Sequence, residues 1–195
     1  MRLYVLSRHG QSTLNVERRV NGDPSVEAPL TRDGLAAAMR LGVQLEALSL
    51  ELCVHTRFTR TRETAEAALG RRAVPMLEEP LLDDVDVGRL DGCTIEEYRV
   101  WKQGRPRSEP FPGGESLDDG ARRYAAGFRR LLERPERVVL VVCHEIPVRY
   151  AVNGAAGAPT LDGPLHDIGN AVPYLFDEAA LARAADAVAA SVGRS

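Results

Sequence analysis

Lysine is almost missing from this 195-residue chain: Lys102 is the only one, and the other 24 of its 25 basic residues are Arg. Against 28 acidic residues this leaves a formal net charge of −3, without the strongly basic balance of a general nucleic-acid binder. Cysteine is sparse, at Cys53, Cys93 and Cys143. An odd, widely spaced set builds neither a disulfide framework nor a zinc knuckle, and is expected as buried, reduced thiols of a cytoplasmic protein. The aliphatic run from Val138 to Val142 is far too short to cross a bilayer, so no membrane role is expected. The stretch from Met1 to Ser7 lacks the apolar core of a secretion signal and reads as a first strand. Internal repeats and low-complexity tracts are also absent.

What is present suits one domain over residues 1–195: 44% of the residues are hydrophobic and 27% charged, enough for a sizeable core. Leu3–Leu6 and Val138–Cys143 are short apolar runs that end in polar chemistry, and Leu52–His55 is a weaker third. Such runs suit parallel strands buried on both faces. Helical patterns lie between them. Asp33–Leu50 sets Leu35, Met39, Leu41, Val43, Leu45 and Leu48 near helical spacing, and Thr59–Leu69 is a second helix. Thr94 with Glu97 and Ser116 with Asp119 have capping-box spacing and open two more. Residues 178–192 form an Ala-rich last helix, and the segment from Gly169 to Tyr174 leads into a last strand. The alternation predicts a three-layer α/β/α sandwich with a mostly parallel central sheet and helices on both faces. Residues 93–115 are a less regular excursion, expected to cap the site.

Ligands of open parallel sheets bind at the carboxyl ends of the strands, and three strand ends here deliver His9, Arg60 and His144 to one rim. A His is a nucleophile only when one ring nitrogen is unprotonated and aimed. Guanidinium neighbours disfavour the imidazolium and bind phosphoryl oxygens as charge builds. Gly10 is expected to let the backbone turn tightly and approach a ligand closely. Ser12 and Asn15, at the start of a short helical turn, could add neutral donors to a phosphate.

Arg8-His9-Gly10-Gln11-Ser12-Thr13-Leu14-Asn15 resembles the R-H-G-x-[ST]-x-x-N signature of the histidine phosphatase superfamily, in its phosphoglycerate-mutase-like branch. Further segments resemble the family in order: Gly22-Asp23 with Leu30-Thr31-Arg32-Asp33-Gly34, then the segment from Thr56 to Ala65 around Arg60, then the segment from Leu82 to Gly92, then Pro112-Gly113-Gly114-Glu115-Ser116, and last Val141-Val142-Cys143-His144. The resemblance implies that His9 accepts the phosphoryl group as phosphohistidine. It implies that Arg8, Arg60 and His144 complete the phosphate pocket with Asn15, Ser12 and Gly22. It implies further that Asp84, four residues before Gly88, is the general acid and base, and that neither metal nor cofactor is needed.

The sequence departs from the family pattern in two places. The acid position more often holds Glu, and Asp83 and Asp86 stand close to Asp84, so the choice among the three stays open. Small residues usually follow the second His; here come Glu145, Ile146 and Pro147. Glu145 reads as an exposed acid at a helix start, with a pocket-facing carboxylate as the alternative. His144-Glu145 begins like H-E-x-x-H, but Arg149 fills the fifth position, which excludes that zinc site. His55 is expected to be structural, His166 to lie on a surface loop, and Arg62 to be a solvated or ion-paired helix residue. Arg57 is a candidate for the phosphate rim, and Asn170 is left outside the core set. In the excursion, Tyr98, Trp101, Lys102, Arg105, Arg107 and Phe111 either read the organic part of a phosphomonoester or pack as ordinary helix residues. The activity implied is a phosphomonoester hydrolase acting on a small phosphorylated substrate. The alternatives are a phosphoglycerate mutase and a binding module whose catalysis has decayed. Natural substrate and oligomeric state stay open.

Overall fold

The computed structural model describes residues 2–193. Five strands form one sheet: β1 (Leu3–Arg8), β2 (Leu52–His55), β3 (Met76–Glu78), β4 (Val138–Cys143) and β5 (Pro173–Asp177), in the order β3-β2-β4-β1-β5. The first four run parallel, and β5 pairs antiparallel on the outer side of β1. The helices are α1 (Thr13–Val16), α2 (Arg32–Gln44), α3 (Thr59–Leu69), α4 (Ile95–Lys102), α5 (Leu117–Leu132), α6 (Glu145–Ala155) and α7 (Glu178–Ser191).

Alternation along the strands splits the core into two layers. Tyr4, Leu6, Leu52, Val54, Val139 and Val141 point to one face, where they join Tyr124 and Phe128 of α5, Val148 and Tyr150 of α6, and Leu181 and Ala184 of α7. Val5, Cys53, Leu140 and Val142 point to the other, against Leu41 of α2 and Ala65 and Ala68 of α3. The result is the three-layer α/β/α arrangement with a mostly parallel sheet.

Several details differ from the sequence expectation. The helix expected over Asp33–Leu50 is α2, which stops at Gln44, and residues 45–48 make turns rather than a continued helix. Its buried face is Gly34, Ala38, Leu41 and Gly42, whereas Leu35, Met39 and Val43 are exposed. Small residues carry that face because α2 and α3 approach closely: a Cβ on Gly42 would lie 2.3 Å from the Ala68 carbonyl oxygen. β3 is only three residues long, starts just after Pro75 and ends in Glu78, so it carries no apolar run to find. Cys53 and Cys143 are buried, but Cys93 is only half-buried. Both expected capping boxes form, at Thr94 with Glu97 and at Ser116 with Asp119, and α1 adds a third between Ser12 and Asn15.

Candidate active site

The strand order explains the site. The chain lays down β1, crosses to β2, and returns later to insert β4 between them. The carboxyl ends of β1 and β4 therefore sit side by side, with Arg8 in register with Cys143. The next residue of each strand is a His, and the His9 N–H donates to the Cys143 carbonyl at 3.0 Å. The two rings meet edge to face, 5.5 Å between centroids.

His9 is buried and its ring is oriented by the backbone. Nδ1 lies 2.7 Å from the Gly10 carbonyl oxygen. A carbonyl only accepts, so Nδ1 carries the proton and Nε2 of the neutral ring keeps its lone pair. Nε2 receives the Arg60 Nε–H at 3.0 Å. Burial first, then the Arg60 and Arg8 guanidinium groups, hold the imidazole pKa well below its ordinary 6.5. Gly10 is required here for packing: a Cβ on it would lie 2.5 Å from the Gly34 carbonyl oxygen at the start of α2.

Arg60, in the first turn of α3, is the hub. It is buried, and its ring neighbour Phe58 lies under the guanidinium at 4.2 Å. Nη1 donates to the Asn21 side-chain oxygen, and Nη2 donates to the Asn21 carbonyl at 3.1 Å and to Asp84 Oδ2 at 3.2 Å. The same Nη2 faces His144 Nδ1 at 3.3 Å. His144 is fully buried, its Nε2 lies 2.9 Å from Thr56 Oγ1, and its Nδ1 lies 3.4 Å from Asp84 Oδ2. Burial, then Arg60 and His9, push its pKa well below the ordinary value.

The structure separates the three candidate acids. The Asp83 carboxylate is buried and held by the Arg57 backbone N–H at 3.0 Å and its Nε at 2.5 Å. Asp86 is exposed and accepts the Gly88 N–H at 2.9 Å. Of the three, Asp84 alone lines the cavity of His9. Burial raises its pKa above the ordinary carboxylate value; Arg60 opposes this and Glu145 adds to it. Arg123 of α5 fixes this loop by donating to the Asp83 carbonyl at 2.8 Å and the Asp84 carbonyl at 3.1 Å.

Arg8, Ser12 and Asn15 line the same cavity, which has a volume of about 390 Å³. Arg8 Nη1 donates to the Ile168 carbonyl at 2.9 Å, while its buried Nε has no protein partner among the described residues. Such a group fits an anion-binding site. The α1 capping box uses Ser12 Oγ and Asn15 Oδ1 as acceptors, which leaves the Ser12 hydroxyl proton and the Asn15 amide N–H groups to a ligand. Gly22 is not brought into this lining. Its N–H donates to Asp91 at 2.6 Å, and it faces a neighbouring cleft.

Sequence reasoning missed two supports: Asn21, which holds Arg60, and Thr56, which holds His144. Neither carries a local signal, because each acts through a neighbour brought close only by folding. Asn170, left outside the core set, does reach the site, and its Nδ2 donates to the His9 carbonyl at 2.7 Å. Arg57 is tied to Asp83 rather than to the rim. Glu145 is not merely an exposed helix-start acid: it begins α6 and also lines the cavity, 3.1 Å from Arg8. From the excursion, Tyr98, Arg99 and Lys102 of α4 face the cavity, whereas Trp101 packs on Phe111 with 4.6 Å between centroids. Arg105 pairs with Glu109, and Arg107 pairs with Asp118 and Asp162. Arg62 pairs with Glu66, His166 is exposed, and buried His55 bonds the Thr56 carbonyl, as expected. Among the described residues, no cluster of three or more His, Cys, Asp or Glu side chains is arranged to hold a metal ion. Among them, no helix is long and apolar enough to cross a membrane.

Two imidazoles, the Arg8 and Arg60 guanidinium groups and the Asp84 carboxyl are thus gathered beside one cavity at the carboxyl ends of the parallel strands, with Glu145 on its wall. The family model of the histidine phosphatase superfamily (branch 1) matches residues 4–177, and the chain belongs to that superfamily. The chain is 32% identical over 194 residues, covering 90% of each protein, to a 2,3-bisphosphoglycerate-dependent phosphoglycerate mutase from Methylobacterium sp. (strain 4-46). Among solved structures it is similar to YhfR of Bacillus stearothermophilus, with TM-score 0.77, 27% identity and 90% of each chain covered. The alpha-ribazole phosphatase from Shigella flexneri shares the fold, with TM-score 0.79, 22% identity and 90% of each chain covered.

Proposed function

We propose that the chain is a metal-independent phosphomonoester hydrolase that works through a phosphohistidine on His9. The observation that carries this reading is the unprotonated Nε2 of His9, set by the Nδ1 contact to the Gly10 carbonyl, with Arg60 and Arg8 beside it on the cavity and the His144 ring packed edge to face against it. In the first step the Nε2 lone pair attacks phosphorus and the P–O bond to the leaving group breaks. The protonated Asp84 carboxyl gives its proton to the departing alkoxide. In the second step Asp84, now a carboxylate, takes a proton from water. The water oxygen attacks phosphorus, the P–N bond breaks, and inorganic phosphate leaves with His9 restored. Arg8, Arg60 and His144 stabilise the phosphoryl oxygens in both transition states, and Ser12 and Asn15 add neutral donors. The Asp84 side chain is a quarter exposed, so water can reach it for the second step. Residues 93–115 act as a cap, in which α4 reads the organic part of the substrate. The three unpaired thiols support a cytoplasmic setting, and the substrate is a small phosphorylated molecule.

The mutase relative favours a second reading, in which the phosphoryl group returns to a phosphoglycerate. One experiment addresses both. Hydrolysis of p-nitrophenyl phosphate is expected in the native protein, with the radiolabelled phosphoryl group of that ester trapped on His9 in samples quenched with alkaline detergent. His9→Ala is expected to remove both. Turnover of that ester by His9→Ala at the native rate would exclude the His9 mechanism. Phosphoglycerate interconversion that depends on added 2,3-bisphosphoglycerate and outruns hydrolysis would establish the mutase.

A further inference from the structure

Glu145 has no part in the two steps above, yet its carboxylate stands on the wall of the reaction cavity. It follows His144 directly, as the first residue of α6. Oε2 lies 3.1 Å from Nη1 of Arg8, a member of the proposed phosphate cradle, and Oε1 lies 3.3 Å from Nη1 of Arg149 one helical turn on. Arg149 also holds Asp162 at 3.0 Å, and Asp162 holds Arg107 at 3.0 Å. This ladder of alternating charges, at the positive end of the α6 dipole, holds the Glu145 carboxylate against the cavity wall. Asp84 and Glu145 line the same cavity, so a phosphoester whose leaving oxygen takes its proton from Asp84 would place the carbons next to that oxygen in the space that Glu145 bounds. A fixed carboxylate there accepts hydrogen bonds from hydroxyl or ammonium groups and repels an anion.

Resting on the hydrolase reading of this site, we propose that Glu145 is a specificity residue. It admits phosphomonoesters of polyols and amino alcohols, and it turns away phosphoesters of hydroxy acids, whose carboxylate lies one or two carbons from the ester. Glycerol 3-phosphate and 3-phosphoglycerate form the test pair, because they share a three-carbon skeleton and differ by an alcohol in place of the carboxylate. The native protein is expected to show at least a tenfold higher kcat/KM on glycerol 3-phosphate. Glu145→Gln should cut that ratio at least fivefold, and Glu145→Asp, which keeps the charge, should retain most of it. Because Glu145 also touches Arg8, both variants can lose overall rate, and the ratio is the readout. A parallel loss on both esters with an unchanged ratio would mean that Glu145 only positions Arg8, and would overturn the proposal. So would a native preference for 3-phosphoglycerate. Calorimetric binding of both esters to His9→Ala and to His9→Ala/Glu145→Gln reads the same ratio without turnover. If the native protein hydrolyses no ester, the hydrolase reading falls, while these affinities still judge Glu145. Equal affinities in the His9→Ala protein, or no binding of either ester, overturn its role.

Discussion

Arg60 shows how residue chemistry sets up the site. Its guanidinium meets His9, Asn21, Asp84 and His144 at once, so one side chain sets the distances among nucleophile, acid and second His. The same positive charge keeps His9 neutral and partly opposes the burial that raises Asp84. Turnover needs His9 neutral and Asp84 protonated. The kcat/KM profile is therefore expected to be bell-shaped. Its acid limb, where His9 takes a proton, lies below pH 6.5, and its alkaline limb, where Asp84 loses one, lies above the ordinary 3.8 of Asp. Asp84→Asn should abolish the alkaline limb and slow alkyl phosphates roughly 10²- to 10⁴-fold. Its effect on p-nitrophenyl phosphate, whose leaving group needs no proton, should be smaller. Equal, small effects on both ester types, with the alkaline limb intact, would take the acid role from Asp84. At this scale the sequence carried both His residues, Arg8 and Arg60 in recognisable motifs. It could not choose among Asp83, Asp84 and Asp86. That choice is made by Arg57 and the Gly88 N–H, which engage the other two. Asn21 and Thr56 were silent for the same reason, as their roles exist only through contacts that folding creates.

At the scale of elements, β1, β2 and β4 were readable because apolar runs buried on both faces have no other use in a chain of this composition. The three-residue β3 and the antiparallel direction of β5 were not, since a short edge strand needs little apolar pattern and direction leaves none. The loop that carries Asp84 depends on a contact between two distant segments. Gly88 and Gly114 let the backbones of residues 86–88 and 112–115 touch: a Cβ on Gly114 would lie 2.3 Å from the Asp86 carbonyl oxygen and 2.7 Å from the Gly88 nitrogen. Glu115 N–H donates to the Asp86 carbonyl at 2.9 Å, and Arg89 N–H to the Pro112 carbonyl at 2.8 Å. Gly114→Ala must push these strands of loop apart and move Asp84 with them. It is expected to cost about 1–3 kcal/mol of stability by overpacking and to lower kcat/KM at least tenfold, with the far-ultraviolet circular dichroism unchanged. Native kinetics in this variant would show that Asp84 is placed independently of the 112–115 loop.

For the whole molecule, the net charge of −3 conceals where the charges sit. Many Arg residues, such as Arg2, Arg129 and Arg134, are spent in ion pairs away from the site, where exposed pairs contribute little. Arg8 and Arg60 instead surround two buried imidazoles, and this arrangement links stability to pH. Well above pH 6.5, His9 and His144 are neutral in both the folded and the unfolded chain and add no pH dependence. Below it the unfolded chain binds protons that the folded site refuses, so stability is lost as pH falls toward the depressed folded values. The slope approaches about 1.4 kcal/mol per pH unit for each His. Asp84 acts in the opposite sense: its folded pKa is raised, so its contribution is present at low pH and is lost as pH rises through that folded value. It is one group against two, and the imidazoles should dominate just below pH 6.5. Urea unfolding at pH 7.5, 6.5 and 5.5 is expected to give a small loss between the first two and a clear further loss at the third. Replacing His9 with Gln should remove about half of that loss, because one of the two refused protons is gone. A native midpoint that stays level or rises between pH 6.5 and 5.5 would mean that the two rings are protonated in the folded protein. His9 would then lack the free lone pair on which the phosphohistidine step depends.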